Sequence, residues 1–194
     1  MNWPDYIHQM QKHGADNQLS ESINSLVDAI SARIRSAATI WCFGNGGSAT
    51  TAEHFATDLL LMGSRTGTEC SALSLTSQIG SITALANDIN YSEVISRQLR
   101  AVLKPDDLVI GFSASGNSAN VINALKYCRE AEVESYCFLG FNGGSLLQSG
   151  ITRNIHFSTE VKLYGLVENL HLTACHYVID KLVETNWSKD AGQK

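Results

Sequence analysis

Proline is nearly absent. The 194-residue chain holds two, Pro4 and Pro105. No proline-rich linker, low-complexity stretch or internal repeat interrupts it, so one domain over residues 1–194 is expected. A helical extension is predicted over about residues 1–37. Positive charge is also in short supply. Lys and Arg number 14 against 19 Asp and Glu, for a net charge of -5. This argues against non-specific nucleic-acid binding, which needs a basic footprint. Charged residues are only 17% and hydrophobic residues 44%, which excludes a disordered chain and hints at an oligomer. No run approaches ~18 apolar residues, so no membrane span is expected. The start, MNWPDYIHQMQKHG, has no basic segment leading into an apolar one, so no signal peptide is expected. The five cysteines form no CxxC pair and lie in apolar runs such as WCF, SYCFLGF and TACHYV. They read as reduced core thiols of a cytoplasmic protein. Walker A and GxGxxG signatures are missing as well.

What is present is alternation. Leu19, Ile23, Leu26, Ile30 and Ile34 recur at helical spacing between about Ala15 and Ser36. A β-prone run, Thr39 to Phe43, then ends in the turn Gly44-Asn45-Gly46-Gly47-Ser48, and a helix is predicted to about Met62. Further strands are predicted at Ser71 to Leu75, Asp107 to Phe112, Ser135 to Phe141 and Asn154 to Phe157. Helical patterns run through Ala86, from Tyr91 to Val102, to about Ala131, and from Gly165 to Thr185. Strands alternating with helices imply a parallel sheet covered on both faces. Ligands of such sheets bind beyond the carboxyl ends of the strands.

Two polar turns lie at those ends. Gly44 to Ser48 lets backbone N–H groups approach an anion at a helix start. Ser113-Ala114-Ser115-Gly116-Asn117-Ser118 offers three hydroxyls at another. Together they suit a phosphorylated small molecule, although Ser, Asn and Gly are also ordinary turn and cap residues. His54 and Asp58, four apart, share one helix face. Such a pair can hold a metal or move a proton. Glu168, His171 and His176 fall on the last predicted helix. Glu168 and His176 are separated by about 12 Å of helix rise and about 80° of azimuth. They meet at one ion only if their side chains converge. A lone histidine in a helix interface is more often a core residue. A carboxylate among Leu166, Val167 and Leu170 needs a partner if buried.

The segments FGNGGSATTAEHF, ALANDINYSEVISRQL, DLVIGFSASGNSANVINAL and ENLHLTACH resemble the sugar isomerase (SIS) domain family, and within it the phosphoheptose isomerases. The resemblance covers nearly the whole chain. It implies a three-layer α/β/α sandwich, flavodoxin-like, with a five-stranded parallel sheet, an N-terminal helix and a long C-terminal helix. The implied activity is conversion of sedoheptulose 7-phosphate to D-glycero-D-manno-heptose 7-phosphate. Substrate contacts implied by the family are Asn45, Gly46, Gly47, Ser48, Asn87, Asp88 and Glu168, with a phosphate cradle of Ser113, Ala114, Ser115 and Ser118. His54, Asp58, Glu168 and His176 match its metal positions, implying one Zn²⁺ per subunit. Asp58, Glu168 and His176 match its catalytic positions. A cytoplasmic homotetramer with sites between subunits is implied, without membrane or nucleic-acid partners. Some relatives instead bind the bacterial replication initiator without catalysis, and others isomerise different phosphosugars.

Four departures stand out. The family usually has Glu at Asp58, Gln at Glu168, Thr at Ala114 and Arg at Leu166. Asp58 is shorter by one methylene, about 1.5 Å. The chain still offers two imidazoles and two carboxylates, which suits an enzyme better than a scaffold.

Overall fold

The computed structural model describes residues 1–160 and 163–190. Side chains along a strand alternate between two faces, and both faces here are apolar. In β1 (Thr39–Phe43), Ile40 and Cys42 enter one core and Phe43 the other. In β3 (Leu108–Ser113), Leu108, Ile110 and Phe112 oppose Val109. In β4 (Ser135–Leu139), Tyr136 and Phe138 oppose Cys137 and Leu139. With β2 (Ser71–Ser74) and β5 (Arg153–His156), they form one parallel sheet in the order β2-β1-β3-β4-β5. The register sets Ile40 beside Leu108 and Val109 beside Ser135.

Helices cover both faces. α2 (Asn17–Ser36), α3 (Gly47–Thr66) and α8 (Tyr164–Asp190) pack Leu26, Ile30, Phe55, Leu59 and Val178 on one side. α5 (Val94–Val102), α6 (Ala119–Glu130) and the short α7 (Gly144–Ser149) pack Ile95, Leu99, Val121, Leu125 and Leu146 on the other. Each such side chain contributes about 1.5–3 kcal/mol when fully buried. The layered parallel architecture is the one expected. α1 (Trp3–Gly14) opens with a reciprocal Asn2–Asp5 capping box. It stops before Asp16, whose carboxylate caps the N–H groups of Gln18 and Leu19 and so starts α2 as a separate helix.

Several boundaries differ from the sequence reading. β4 ends at Leu139 rather than Phe141, because Phe141 takes φ 50° and turns the chain. α7 is six residues long between Gly143 and Gly150, both left-handed, and is too short for a periodic signal. α4 (Ile79–Asp88) has no buried residue, so its apolar side chains lie outside this chain's core.

The chain leaves β1 for β2 on one side and then crosses to β3 on the other. The direction of winding therefore changes between β1 and β3. This is the crevice where open parallel sheets take ligands. The glycine turn and the serine turn flank it, one on each strand.

Candidate active site

The glycine turn opens α3 without a capping side chain, and Gly46 has φ 54°. The turn's own carbonyls engage the N–H groups that follow: Ser48 N donates to Asn45 O at 3.0 Å, and Ala49 N to Gly46 O at 3.0 Å. Gly47 leaves room for a neighbouring side chain. A Cβ there would strike the carboxylate of Glu168, which rests directly on the glycine. Glu168 is partly buried, and its side chain makes no hydrogen bond or ion pair among the described residues. Its charge faces the positive end of α3.

The serine turn is folded on itself. Ser113 Oγ accepts from Gly116 N at 3.2 Å and donates to Ser118 Oγ at 3.4 Å. Ser115 Oγ accepts from Asn117 N at 3.2 Å. α6 then starts at Ser118 with no capping side chain. The turn is held from behind by the segment after β4. Ser145 N donates to Asn117 Oδ1 at 2.9 Å, and Leu146 N to Gly116 O at 3.1 Å. Gly116 has φ 63°, and a Cβ on it would run into the carbonyl of Gly143. Ala114 points away from the turn, into a small apolar cluster with Phe141 and Val167. Only its backbone belongs to the turn. The family's Thr position is thus an apolar packing position in this chain.

The imidazoles meet elsewhere. α3 and α8 pack side by side. Gly47 pairs with Glu168 at their starts, and His54 and Asp58 meet His176 further along. His54 Nε2 is 3.1 Å from Asp58 Oδ2 and 3.1 Å from His176 Nε2. His176 Nε2 is 3.7 Å from Asp58 Oδ2. These three donor atoms lie within 4.8 Å of one another. Glu168 lies outside this group of three. The reason is that α8 stays helical from Tyr164, so helix rise keeps residues 168 and 176 about 12 Å apart along the axis. The site has two centres, one at the glycine turn and one at the imidazoles.

A tetrahedral zinc with ligands at about 2.0–2.1 Å sets its donor atoms about 3.3 Å apart. The separations of 3.1, 3.1 and 3.7 Å suit that ion, and the nitrogen and oxygen donors suit its chemistry. The thiol of Cys175, adjacent in sequence to His176, is raised far above its ordinary range by burial, then by Cys42 and Asp58. It stays protonated and is not a competing ligand or nucleophile. All five cysteines are free and buried.

His171 belongs to the core. It is fully buried among the rings of Phe112, Phe138 and Phe157. Its Nε2 bonds to the Leu139 carbonyl at 3.2 Å, and its Nδ1 has no partner. Burial pushes its pKa down to about 4, a shift the Leu139 bond opposes and His156 reinforces.

Asn87 and Asp88 are exposed at the end of α4, joined by an Asn87 Nδ2 to Asp88 Oδ1 bond of 2.9 Å. Among the described residues, neither side chain hydrogen-bonds to either turn. Two residues the sequence reading missed do reach the glycine turn. Tyr91 O–H donates to Asn45 Oδ1 at 2.8 Å, and buried Asn120 exchanges two side-chain bonds with Asn45. Both lie inside the quoted segments, Tyr91 in ALANDINYSEVISRQL and Asn120 in DLVIGFSASGNSANVINAL, but neither stood out there by residue type.

A family model described as SIS domain matches residues 2–140. A probable phosphoheptose isomerase of Thermoplasma acidophilum is 37% identical over 81% of this chain and 85% of its own length. The chain belongs to the SIS domain family, among the phosphoheptose isomerases. A phosphoheptose isomerase of Azoarcus is 30% identical to this SIS protein over 87% of this chain and 86% of the relative. The solved structure of phosphoheptose isomerase from Neisseria gonorrhoeae superposes with a TM-score of 0.83 at 27% identity, covering 93% of this chain and 94% of that one. The Francisella tularensis structure shares the fold, with a TM-score of 0.84 at 22% identity over 95% of this chain and all (100%) of that one. No helix among the described residues of the SIS chain is long and apolar enough to cross a membrane.

Proposed function

We propose that the protein is a phosphoheptose isomerase, interconverting sedoheptulose 7-phosphate and D-glycero-D-manno-heptose 7-phosphate. The observation that carries the mechanism is the meeting of Asp58 Oδ2 with His54 Nε2 at 3.1 Å and His176 Nε2 at 3.7 Å. A carboxylate and an imidazole side by side are what an enediol reaction needs. Asp58 takes the proton from C1 of the ketose. His176 delivers a proton to O2, giving the enediol. His176 then removes the proton from O1, and Asp58 returns its proton to C2. Atoms and charges balance, and the aldose results. The substrate phosphate lies at the serine turn, on Ser113, Ser115, Ser118 and the Ala114 backbone. That contact is remote from the reacting carbons and supplies binding energy to orient them. Asn45, Gly46, Gly47, Ser48 and Glu168 hold the sugar hydroxyls at the glycine turn.

His54, Asp58 and His176 would hold one zinc ion per subunit through these atoms, and His176 Nε2 would carry the proton only in the zinc-free form. Bound there, zinc supplies a Lewis acid for a sugar oxygen. Asp58 retains its second carboxylate oxygen for the proton.

The working form is a cytoplasmic homotetramer with shared sites. Support comes from α4, where Ile79 is 75% exposed, and from Asn87 and Asp88, which are exposed at its end. Five buried free thiols suit a reducing compartment. The net charge of -5 argues against a nucleic-acid partner.

A second reading makes Glu168 the base, because its carboxylate stands unpartnered against Gly47. The two readings separate in one experiment. Turnover of sedoheptulose 7-phosphate in deuterium oxide is followed by proton NMR for the wild type, Asp58→Asn and Glu168→Gln. Loss of a general base costs about 10²–10⁴-fold. The expected result is that loss in Asp58→Asn, with a smaller loss in Glu168→Gln. The reverse order assigns the base to Glu168. No turnover by the wild type, with or without Zn²⁺, overturns the activity.

A further inference from the structure

An asparagine side chain can face a ligand with either end of its amide. Asn45 is not free to do so. Its Oδ1 accepts from Tyr91 O–H at 2.8 Å and from Asn120 Nδ2 at 2.8 Å. Its Nδ2 donates to Asn120 Oδ1 at 2.9 Å. A carbonyl oxygen has two lone pairs and an amide nitrogen two hydrogens. Both lone pairs and one hydrogen are therefore spent within the protein. One N–H remains.

The two partners are themselves fixed. Asn120 is 2% exposed, on the first turn of α6. Tyr91 begins the 3-10 turn Tyr91–Glu93, and that turn is tied down on both sides. Asn123 Nδ2 donates to Ser92 O at 3.1 Å and Glu93 Oε1 at 3.0 Å. Ser96 Oγ donates to Glu93 Oε2 at 2.8 Å. α6 thus holds the glycine turn through Asn120 and the 3-10 turn through Asn123, one helical turn apart.

We infer that Tyr91 and Asn120 are positioning residues for the sugar phosphate. They lock the Asn45 amide so that it meets an oxygen of the sugar with one N–H donor in a preset direction. This rests on the sugar-phosphate reading above for the identity of the ligand, but the lock stands on the hydrogen bonds alone. Tyr91 is 53% exposed, so its hydroxyl adds little to the core. Its value lies in the orientation of Asn45.

A double-mutant cycle tests the inference. KM and kcat for sedoheptulose 7-phosphate are measured for the wild type, Tyr91→Phe, Asn45→Ala and the pair. Removing the Tyr91 hydroxyl is expected to raise KM about three- to tenfold, the worth of one neutral hydrogen bond, with the melting temperature unchanged. In the Asn45→Ala background the same change is expected to do almost nothing. An unchanged KM in Tyr91→Phe, or equal effects in both backgrounds, overturns the inference. The second measurement needs no turnover. The side-chain amide signal of Asn45, assigned by its loss in Asn45→Ala, is recorded in the ¹⁵N spectrum of the wild type and Tyr91→Phe. A shift of that signal is expected, and an unmoved signal overturns the lock. A shifted signal in a protein that does not turn over the heptose phosphate keeps the lock and rejects the substrate.

Discussion

His54 and His176, 122 residues apart in the chain, bring their Nε2 atoms to 3.1 Å. Two imidazoles at that distance can share a proton or a metal ion, and Asp58 at 3.1 Å from His54 adds a third donor. The wild type is expected to bind one zinc per chain after dialysis, measured by metal analysis. His54→Ala and His176→Ala are each expected to weaken binding by more than the ~10–100-fold cost of losing an outer-shell partner. Glu168→Gln is expected to keep full stoichiometry, because Glu168 rests on Gly47 instead. Loss of zinc in Glu168→Gln would return that residue to the ligand set.

Acid stability is expected to follow His171. Its folded pKa is pushed down to about 4 from 6.5 by burial. The folded state therefore keeps it neutral where the unfolded chain takes up a proton. Stability is fully present above pH 6.5 and falls between pH 6.5 and about 4. The loss amounts to about 3 kcal/mol per chain. Urea midpoints at fixed protein concentration check this across that window. His171→Leu is expected to flatten the slope there, whatever its effect on absolute stability. An unchanged slope would assign the acid sensitivity to other groups.

Gly47 and Gly116 make a contrasting pair. At Gly47 a new Cβ meets the end of a flexible side chain, the Glu168 carboxylate. Gly47→Ala is expected to fold with near-normal stability and to lose sugar-phosphate affinity as Glu168 moves. At Gly116 a new Cβ meets the Gly143 backbone, and φ is 63°. Gly116→Ala is expected to cost about 2–4 kcal/mol, from left-handed strain and the backbone clash. Thermal unfolding and a binding titration separate the two outcomes.

Most of the fold was legible in the chain. Short β-prone apolar runs mark Thr39–Phe43 and the Asp107 to Phe112 run as strands, because the glycine and serine turns follow them directly. Local sequence also carried the pairing of His54 with Asp58, since four residues is one helical turn. α7 was missed because its six residues make fewer than two helical turns, too few for a repeat to show. The separation of Glu168 from the imidazoles was readable in outline, from eight residues of helix. Its actual neighbour, Gly47, lies on another helix and was not.

The sequence by itself determined the layered architecture, the two polar turns at the sheet's carboxyl edge and the chemical types of the site. Those follow from period, turn chemistry and helix spacing, which act over a few residues. Tertiary structure alone decided which groups meet. Asn45, Tyr91 and Asn120 come together across separations of 46 and 75 residues. Ala114 turned into an apolar cluster because Phe141 and Val167 pack over it. Such meetings depend on how helices settle on the sheet, where shape and burial set side-chain positions that no local pattern encodes.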